Sequence, residues 1–302
     1  MGPATTSSSF DGSRHWRPGT SVDATFAKTR LEHSERGRPS RSAQAAATTR
    51  FVLLSTQRSG TSWVMERLAR HERIGGYGEV LLHGVAGWSD WPPGAADRPF
   101  FTTYLRESAT SESLLSRHLR LFGYLDYLFQ ARRGYHAIGF KLMYDQLQRY
   151  PEILAYLRVR RVRVLHLFRL NLLDIVLSRE AMKSRRNVHA RSPAEREMVR
   201  VEVDTRRLVS NLARLDCERR LVREALTLLH IPVVELTYEY LLADESRLRD
   251  AAGFLGVDVD ATTDMSAVML KLAPSSHRAG IANYDEVRAA LQRTRYFSFL
   301  HD

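Results

Sequence analysis

The chain has 302 residues, and its 45 Lys and Arg against 34 Asp and Glu give a formal net charge of +11 and a sequence pI of about 10.1. The 44% hydrophobic and 26% charged fractions are typical of a globular protein and exclude wholesale disorder. No stretch approaches the roughly 18 apolar residues that a membrane-spanning helix needs. The single cysteine, Cys217, excludes an intramolecular disulfide and a cysteine-based zinc site.

The positive charge is distributed in a way that does not favour a nucleic-acid partner. Only four of the 45 basic residues are lysine, and such a preference for arginine is typical of codon bias in a G+C-rich genome. Residues 1–50 hold eight Lys or Arg and four Asp or Glu, so they carry more than a third of the net charge. The remaining charge suits an anionic ligand or plain solubility as well as it suits nucleic acid.

Residues 1–49 differ in composition from the rest of the chain. They are poor in large aliphatic side chains and rich in Ser, Thr, Arg, Gly and Ala, which predicts a disordered basic tail. They lack the apolar segment of a secretory signal, and their four acidic residues argue against a transit peptide. We therefore expect a cytoplasmic protein in which residues 50–302 form one domain.

From residue 50 onward, short buried strands alternate with helices. The first strand is predicted over Phe51–Leu54, and a polar turn leads from it to a helix over Thr61–His71. Later strands are predicted over Ala137–Phe140, Val162–Phe168 and Pro232–Thr237, and later helices over Pro151–Arg158, Leu172–Arg185, Pro193–His230 and Tyr240–Leu255. This alternation is typical of an α/β fold with a central parallel sheet and helices on both faces. Residues 84–101, rich in Gly, Pro and Trp, predict a long loop, either a binding loop or a surface excursion.

The polar turn Ser55–Ser62 joins the first predicted strand to the first predicted helix. A turn of this kind points backbone N–H groups and the positive end of a helix dipole at an anion. Gly60 lets the backbone approach closely, and Arg58 adds a positive charge. Further hydroxyl donors come from Ser59, Thr61 and Ser62. The turn therefore predicts a phosphate-binding site; the alternative is an ordinary capped turn.

This turn is not the P-loop of a nucleotide triphosphatase, because Ser55 replaces the first glycine of that motif and Thr61 stands where its lysine should be. No G-x-G-x-x-G follows a strand, so a dinucleotide site is not expected. The segment Thr56–Trp63 (TQRSGTSW) resembles the 5′-phosphosulfate loop of sulfotransferases that use 3′-phosphoadenosine 5′-phosphosulfate (PAPS). Cytosolic members usually have Lys at the position of Arg58, and the resemblance is closer to bacterial glycolipid and secondary-metabolite sulfotransferases.

A second strand–helix pair extends the resemblance. Arg169 follows the predicted strand Val162–Phe168, and Ser178 lies two turns into the next helix. Both side chains can face the crevice at the carboxyl ends of the strands, where open α/β sheets bind ligands. The pair resembles the family's 3′-phosphate site, with a spacing of nine residues where cytosolic members usually have eight. Asn171 and Asp174 predict a capping box at the start of this helix.

Three further segments carry the resemblance over residues 50–302. In Gly139–Tyr144, Lys141 resembles a strand lysine that approaches the transferring sulfonate. Tyr238–Leu242 resembles a Tyr-Glu-x-Leu-Leu element that follows a late strand, and Asn283–Val287 resembles a segment of bacterial members.

The resemblance implies a PAPS-dependent sulfotransferase that needs no metal, has a P-loop-like fold and transfers a sulfonate to a hydroxyl of a small-molecule, sugar or glycolipid acceptor. It assigns PAPS binding to the following residues: Arg58, Ser59, Gly60, Thr61, Ser62, Trp63, Arg169 and Ser178. Lys271 and Arg278 stand where family members close a basic segment over the 3′-phosphate, and a solvated basic loop is the alternative for them. Because in-line transfer depends on positioning and electrostatics, Arg58 and Lys141 would stabilise the leaving group as fixed charges.

The acceptor hydroxyl needs a base. Cytosolic family members use a histidine two residues after the strand lysine, but that position is Met143 here. Bacterial glycolipid members resemble this chain around Gly78-Glu79, so Glu79 is the expected general base, with a surface carboxylate or a helix cap as the alternative. A partly desolvated carboxylate has a raised pKa and is a better base near neutral pH. The other candidate bases are His83, His136 and His166.

Two other functions stay open at this point. A nucleotide-dependent kinase shares the broad fold, but the missing P-loop lysine speaks against it. A non-catalytic nucleic-acid-binding protein would bind with a steep salt dependence, yet no motif for it is found. The acceptor is undefined, and several aromatic residues are candidates either for its pocket or for the core: Trp88, Trp91, Phe100, Phe101 and Tyr104. The sequence also leaves open whether the chain forms a homodimer.

Overall fold

Five parallel strands form the central sheet of the computed structural model. The strands of the molecule are β1 (Thr49–Ser55), β2 (Ile74–Tyr77), β3 (Trp88–Ser89), β4 (Arg98–Pro99), β5 (Ala137–Met143), β6 (Arg163–Phe168) and β7 (Val233–Thr237). The central sheet has the order β2–β5–β1–β6–β7, and β3 and β4 pair antiparallel with each other. The structure describes residues 48–83, 88–89, 98–107, 114–130, 134–184, 200–260 and 276–301.

The described helices connect and cover these strands. They are α1 (Thr61–Ala69), α2 (Phe101–Glu107), α3 (Leu114–Leu128), α4 (Tyr144–Arg149), α5 (Ile153–Val159), α6 (Leu172–Ser184), α7 (Thr205–Leu228), α8 (Tyr238–Ala243), α9 (Ser246–Phe254), α10 (His277–Gly280) and α11 (Tyr284–Leu291), with a 3₁₀ helix over Phe297–Leu300. Within the described ranges, none of these helices has the length and apolar character needed to cross a membrane.

The side chains of β1 show that both faces of the central sheet are covered. Phe51, Val52, Leu53 and Leu54 are all fully buried, so both faces of the strand need an apolar cover. Val52 and Leu54 belong to a core that includes residues of α3 and α5, whereas Phe51 and Leu53 belong to a core with α1 and α9. Helices therefore cover both faces of the parallel sheet, and the predicted α/β class is confirmed.

A third apolar core holds α6 against α7, α11 and the 3₁₀ helix. Asn171 precedes α6, and its Oδ1 accepts a hydrogen bond from the N–H of Leu173 at 3.0 Å. Its Nδ2 donates to the carbonyl oxygen of Phe299 at 2.9 Å, so the same side chain caps α6 and ties it to the C-terminal segment. The predicted cap at Asn171 is confirmed.

The predicted strands agree with the structure within a few residues, but several elements differ, and the helices α2, α3, α4, α10 and α11 were not predicted. The strand β2 was not predicted, because its two glycines give it a low strand propensity. The helix predicted over Pro193–His230 begins only at Thr205, where the Asp204 side chain accepts from the N–H of Arg206; residues 193–199 lie outside the described part. The predicted loop 84–101 contains β3 and β4, and most of its other residues lie outside the described part.

The described residues belong to one compact unit, Ala46–Asp302, in which β1 begins at Thr49. This start is one residue before the predicted domain boundary. The predicted tail, residues 1–49, lies outside the described part except for residues 48 and 49, so its disorder stays a prediction.

Gly139 of β5 provides a test of how closely the central strands pack. A Cβ at this position would lie 2.6 Å from three ring atoms of the buried Phe51. Gly139→Ala should therefore lower the free energy of unfolding by about 1–3 kcal/mol, the usual cost of overpacking a core, as measured by urea denaturation. Gly253→Ala in α9 is the control: a Cβ there meets no atom within 4 Å, so stability should rise by about 0.5–1 kcal/mol. Equal effects of the two substitutions would contradict this account.

Candidate functional site

The carboxyl ends of the parallel strands bring together polar side chains that are distant in the sequence. β1 leads into the turn 56–60, β6 into Arg169 and β7 into Tyr238. Glu79 follows the end of β2, and Lys141 lies near the end of β5. Because open α/β sheets bind ligands at this edge, these residues define the candidate site.

The turn between β1 and α1 holds two residues in the left-handed region, Arg58 at φ 71° and Gly60 at φ 89°. A Cβ at Gly60 would overlap the ring of Tyr238, so glycine is needed here for space as well as for its backbone freedom. Arg58 has no such freedom, and the left-handed conformation costs an ordinary residue about 1–2 kcal/mol. Contacts from the surrounding structure therefore hold Arg58 in this conformation.

Ser178 of α6 provides one of these contacts. The Nε of Arg58 donates a hydrogen bond to the Oγ of Ser178, with 3.0 Å between the two atoms. The resemblance assigns Ser178 to the 3′-phosphate, whereas this hydrogen bond ties it to the turn assigned to the 5′-phosphosulfate. Ser178 thus contributes to the shape of the turn.

Lys141 connects the turn with the predicted base. Its Nζ donates to the Oγ of Ser62 at 3.2 Å and lies 3.9 Å from the Oε1 of Glu79. The backbone N–H of Lys141 donates to the carbonyl oxygen of Gly78 at 3.2 Å, which continues the pairing of β2 with β5 and holds Glu79 at this edge. Lys141 is buried and Glu79 is half-buried.

Burial shifts the pKa values of these two groups in opposite directions. Loss of hydration raises the pKa of Glu79 above its ordinary value, and the attraction of Lys141 opposes that rise with a smaller effect. Loss of hydration lowers the pKa of Lys141, and the nearby Glu79 carboxylate opposes this shift. Glu79 is therefore a stronger proton acceptor than an exposed glutamate, and Lys141 is a poorly hydrated cation.

Arg169 is buried between two carboxylates at the end of β6. Its Nη2 lies 3.2 Å from the Oδ2 of Asp174, and its Nε lies 3.7 Å from the Oε1 of Glu239. The Oε2 of Glu239 accepts from the N–H of Leu170 at 3.0 Å, which fixes that carboxylate. The guanidinium lies over the ring of Tyr238, 4.8 Å from the ring centroid. These contacts leave the arginine little freedom of orientation.

Tyr238 joins the two halves of the site. One edge of its ring packs against Gly60 in the turn, and the Arg169 guanidinium lies over the same ring. The indole of Trp63 meets this ring edge-on, with 5.8 Å between the centroids. The guanidinium of Arg67 lies over the Trp63 ring, 4.2 Å from the ring centroid. Trp63 thus packs within the protein and supports the turn through Tyr238.

Ser59 and Arg278, two further residues assigned to PAPS, lie in different surroundings. Ser59 is fully buried, and its Oγ has no hydrogen-bond partner among the residues that the structure describes. Arg278 of α10 is exposed, lies over the ring of Tyr284 and lines a cavity of about 340 Å³. The Nε2 of His277 lies 2.9 Å from the Oδ1 of Asp174, so α10 contacts a carboxylate that pairs with Arg169. Lys271 lies outside the described residues.

The alternative bases are less well placed than Glu79. His166 is fully buried, and its Nε2 lies 2.7 Å from the hydroxyl of Tyr144. His83 is exposed, and His136 lies at the amino end of β5, at the opposite edge of the sheet from Glu79. In the described ranges, no group of three His, Cys, Asp or Glu side chains is placed to hold a metal ion; that the protein needs no metal stays a prediction.

The aromatic candidates for an acceptor pocket lie in different surroundings. Phe101 is buried against Tyr124 and Tyr150 and belongs to the core. Tyr104 is half-buried, and its ring is tilted by 50° to the ring of Tyr124, with 5.1 Å between the centroids. The side chains of Trp88 and Trp91 lie outside the described part.

Several site residues were not identified from the sequence. Tyr238 and Glu239 were quoted only as part of a motif, and Asp174 only as a helix cap. Tyr238 could have been identified from its position in the sequence, because it directly follows a predicted strand, as Arg169 does. No local sequence pattern indicated that Asp174 and Glu239 pair with Arg169.

Comparison with known proteins identifies a structural neighbour. No protein-family model matches the chain, and no curated protein matches it. The crystal structure of a sulfotransferase from Alicyclobacillus acidocaldarius is 16% identical, covers 82% of this chain and 97% of its own, and gives a TM-score of 0.38. Values of this size do not carry the function of that protein to this chain.

The left-handed conformation of Arg58 leads to a stability prediction. Arg58→Gly and Arg58→Ala both remove the hydrogen bond to Ser178 and the charge, but only glycine adopts a positive φ without strain. The glycine variant should therefore be more stable than the alanine variant by about 1 kcal/mol, as measured by urea denaturation. An alanine variant of equal or greater stability would show that the turn relaxes.

Proposed function

We propose that this chain is a PAPS-dependent sulfotransferase that acts on a hydroxyl of a small-molecule, sugar or glycolipid acceptor. The observation that carries the proposal is the position of Lys141, whose ammonium reaches Ser62 in the first turn of α1 and lies 3.9 Å from the Oε1 of Glu79. One buried cation thus lies between the start of a helix and a carboxylate that can accept a proton. This arrangement suits a reaction in which an anionic group leaves while a hydroxyl loses its proton.

The residues present fit a nucleotide that carries an anionic group at each end. At one end, the first N–H groups of α1 lack partners within the helix, and Arg58 and Lys141 add positive charge. The buried Oγ of Ser59, unpartnered among the described residues, is a donor that a phosphosulfate would satisfy. At the other end, the Nε of Arg169 forms an ion pair with Glu239 at 3.7 Å but no hydrogen bond within the described ranges, so we propose that a 3′-phosphate accepts from it.

PAPS, when bound, supplies the sulfonate and a phosphate leaving group. The protein contributes fixed charge: the Arg58 and Lys141 side chains are oriented by Ser178 and Ser62 before any ligand arrives. Charge-assisted hydrogen bonds contribute about 1.5–3 kcal/mol each, and they act without reorganisation when the donors are already in place. A guanidinium does not lose its proton near neutral pH, so Arg58 acts as a charge and a hydrogen-bond donor.

Glu79 is the proposed general base. Its carboxylate takes the proton of the acceptor hydroxyl, and the raised pKa that follows from burial brings its basicity closer to what the reaction needs. Lys141 at 3.9 Å favours the ionised form and so keeps the carboxylate available at neutral pH. The acceptor would then bind beside Glu79, and neither a metal nor a nucleic acid takes part.

Adenosine 3′,5′-bisphosphate (PAP), the nucleotide product, gives a direct test by isothermal titration calorimetry. We expect one PAP per chain, and 5′-AMP should bind at least about tenfold more weakly because it lacks the 3′-phosphate. Arg58→Gln and Arg169→Gln should each raise the Kd for PAP by about 10–100-fold, which corresponds to the loss of one charge-assisted hydrogen bond.

Lys183→Gln is the matched control for these variants, because Lys183 is an exposed cation of α6 that pairs with Glu180. It should bind PAP as the wild-type protein does. A folded wild-type protein that does not bind PAP would refute the proposed function. Preferential binding of magnesium-ATP would favour the kinase alternative.

Glu79→Gln separates binding from chemistry. The variant should bind PAP within about twofold of wild type but lower turnover about 10²–10⁴-fold, the usual contribution of general-base catalysis. Turnover is measured as PAP formed from labelled PAPS with an acceptor found by screening extracts. Unchanged turnover would reject Glu79 as the base.

The pH profile of the wild-type enzyme gives the same residue a second readout. Activity should fall as the pH drops through the pKa of Glu79, because the base must be deprotonated, and burial places this loss at a higher pH than for an exposed glutamate. Activity should also fall at high pH as Lys141 loses its charge, at a lower pH than an exposed lysine would require. The acid limb should be absent in Glu79→Gln.

A further inference from the structure

Side chains from other elements hold three consecutive residues of the turn after β1. Thr56 accepts a hydrogen bond from Arg179, Gln57 donates to Asp145, and Arg58 donates to Ser178. Two of these three partners are neighbours on α6, the helix that follows β6. α6 therefore holds the turn at its first residue, Thr56, and at its third residue, Arg58.

Arg179 makes the firmest of the contacts to the start of the turn. Its Nη2 lies 3.0 Å from the Oγ1 of Thr56, whose side chain is buried. The contact between Gln57 and Asp145 is longer, at 3.4 Å. The Nε of Arg179 is buried and has no hydrogen-bond partner among the described residues. Nothing in the local sequence predicted a role for this arginine.

The surroundings of Arg179 show that its charge is partly desolvated. Loss of hydration lowers the pKa of its guanidinium, and Arg214 adds to this shift. The carboxylates of Glu218 and Asp145 act in the opposite direction. Burying half of an arginine costs free energy, and here the guanidinium donates a hydrogen bond to an uncharged hydroxyl of the turn.

The backbone of the turn explains what this contact does. Arg58 is left-handed at a cost of about 1–2 kcal/mol, so without external contacts the turn would relax toward ordinary φ values. One hydrogen bond from α6 is at the strained residue, Arg58, and the other is two residues before it, at Thr56. Because Ser178 and Arg179 leave the helix about 100° apart, one rigid element restrains the turn from two directions.

We propose that Arg179 is a positioning residue of the donor site, which acts through Thr56 to hold the turn 56–60 in its anion-binding shape. This inference rests on the proposed function, since PAP is the anion used to detect it. Arg179 does not act on the reacting atoms in this proposal. Arg179 affects nucleotide affinity through its one hydrogen bond to Thr56. An experiment can therefore separate this effect from a general effect on folding.

A double-mutant cycle tests the proposal, with the Kd for PAP measured by calorimetry. Arg179→Met should raise the Kd by about tenfold, and Thr56→Val, which removes only the acceptor, should raise it several-fold. The double variant should bind no more weakly than Arg179→Met, because both substitutions break the same hydrogen bond. Arg179→Lys should recover most of the affinity, since a lysine retains both the charge and a donor. Lys183→Met on the same helix is the charge-matched control and should bind PAP as wild type does.

The outcomes distinguish the two proposals. If folded wild-type protein does not bind PAP, the proposed function and this inference both fail. If the wild type binds PAP and Arg179→Met binds within twofold of it, only this inference fails. Additive effects of Arg179→Met and Thr56→Val would also overturn it, because the arginine would then act by another route. If Arg179→Met does not fold, as judged by thermal unfolding, the Thr56→Val and Arg179→Lys variants decide the question, and unchanged affinity in Thr56→Val rejects the proposal.

Discussion

The left-handed turn between β1 and α1 is the constraint on which the rest of the site depends. Gly60 permits a conformation that brings the Tyr238 ring against the backbone, and that ring in turn lies under Arg169. Arg58 shares the left-handed conformation without the freedom of glycine, so it requires support from Ser178. The turn thus sets the direction of the α1 amino terminus, and the elements around it are placed so as to hold that direction.

Pairing of buried charges is the second principle of the site. Lys141 is buried and lies near Glu79, while Arg169 is buried and lies near Asp174 and Glu239. Each cation would be costly to bury alone, and a partner carboxylate offsets part of that cost. The same pairs orient the charges before a ligand binds, which is the condition under which electrostatic stabilisation of a reaction is most effective.

The local patterns of the sequence predicted much of the fold and part of the site. Four of the five strands of the central sheet were predicted from apolar runs, and Asn171 was predicted as a helix cap. Both predictions were possible because strand burial and helix capping leave patterns among residues that are close in the sequence. The prediction missed β2, where two glycines weaken the strand signal, started α7 before its cap at Asp204, and did not include the helices α2, α3, α4, α10 and α11. Arg58 was named from the polar turn, whereas Glu79 and Lys141 were named only from the family resemblance, and the structure brings all three to one edge of the sheet.

What the sequence by itself determined is four of the five strands of the central sheet, the glycine-containing turn after the first of them, and the residues at strand ends that can face a ligand. Only the tertiary structure decided which of those residues meet. Ser178 pairs with Arg58 across 120 positions, and Lys141 reaches Ser62 across 79 positions. Such pairs follow from the strand order β2–β5–β1–β6–β7, which apolar periodicity does not encode, since a strand buried on both faces reads the same wherever it lies in the sheet.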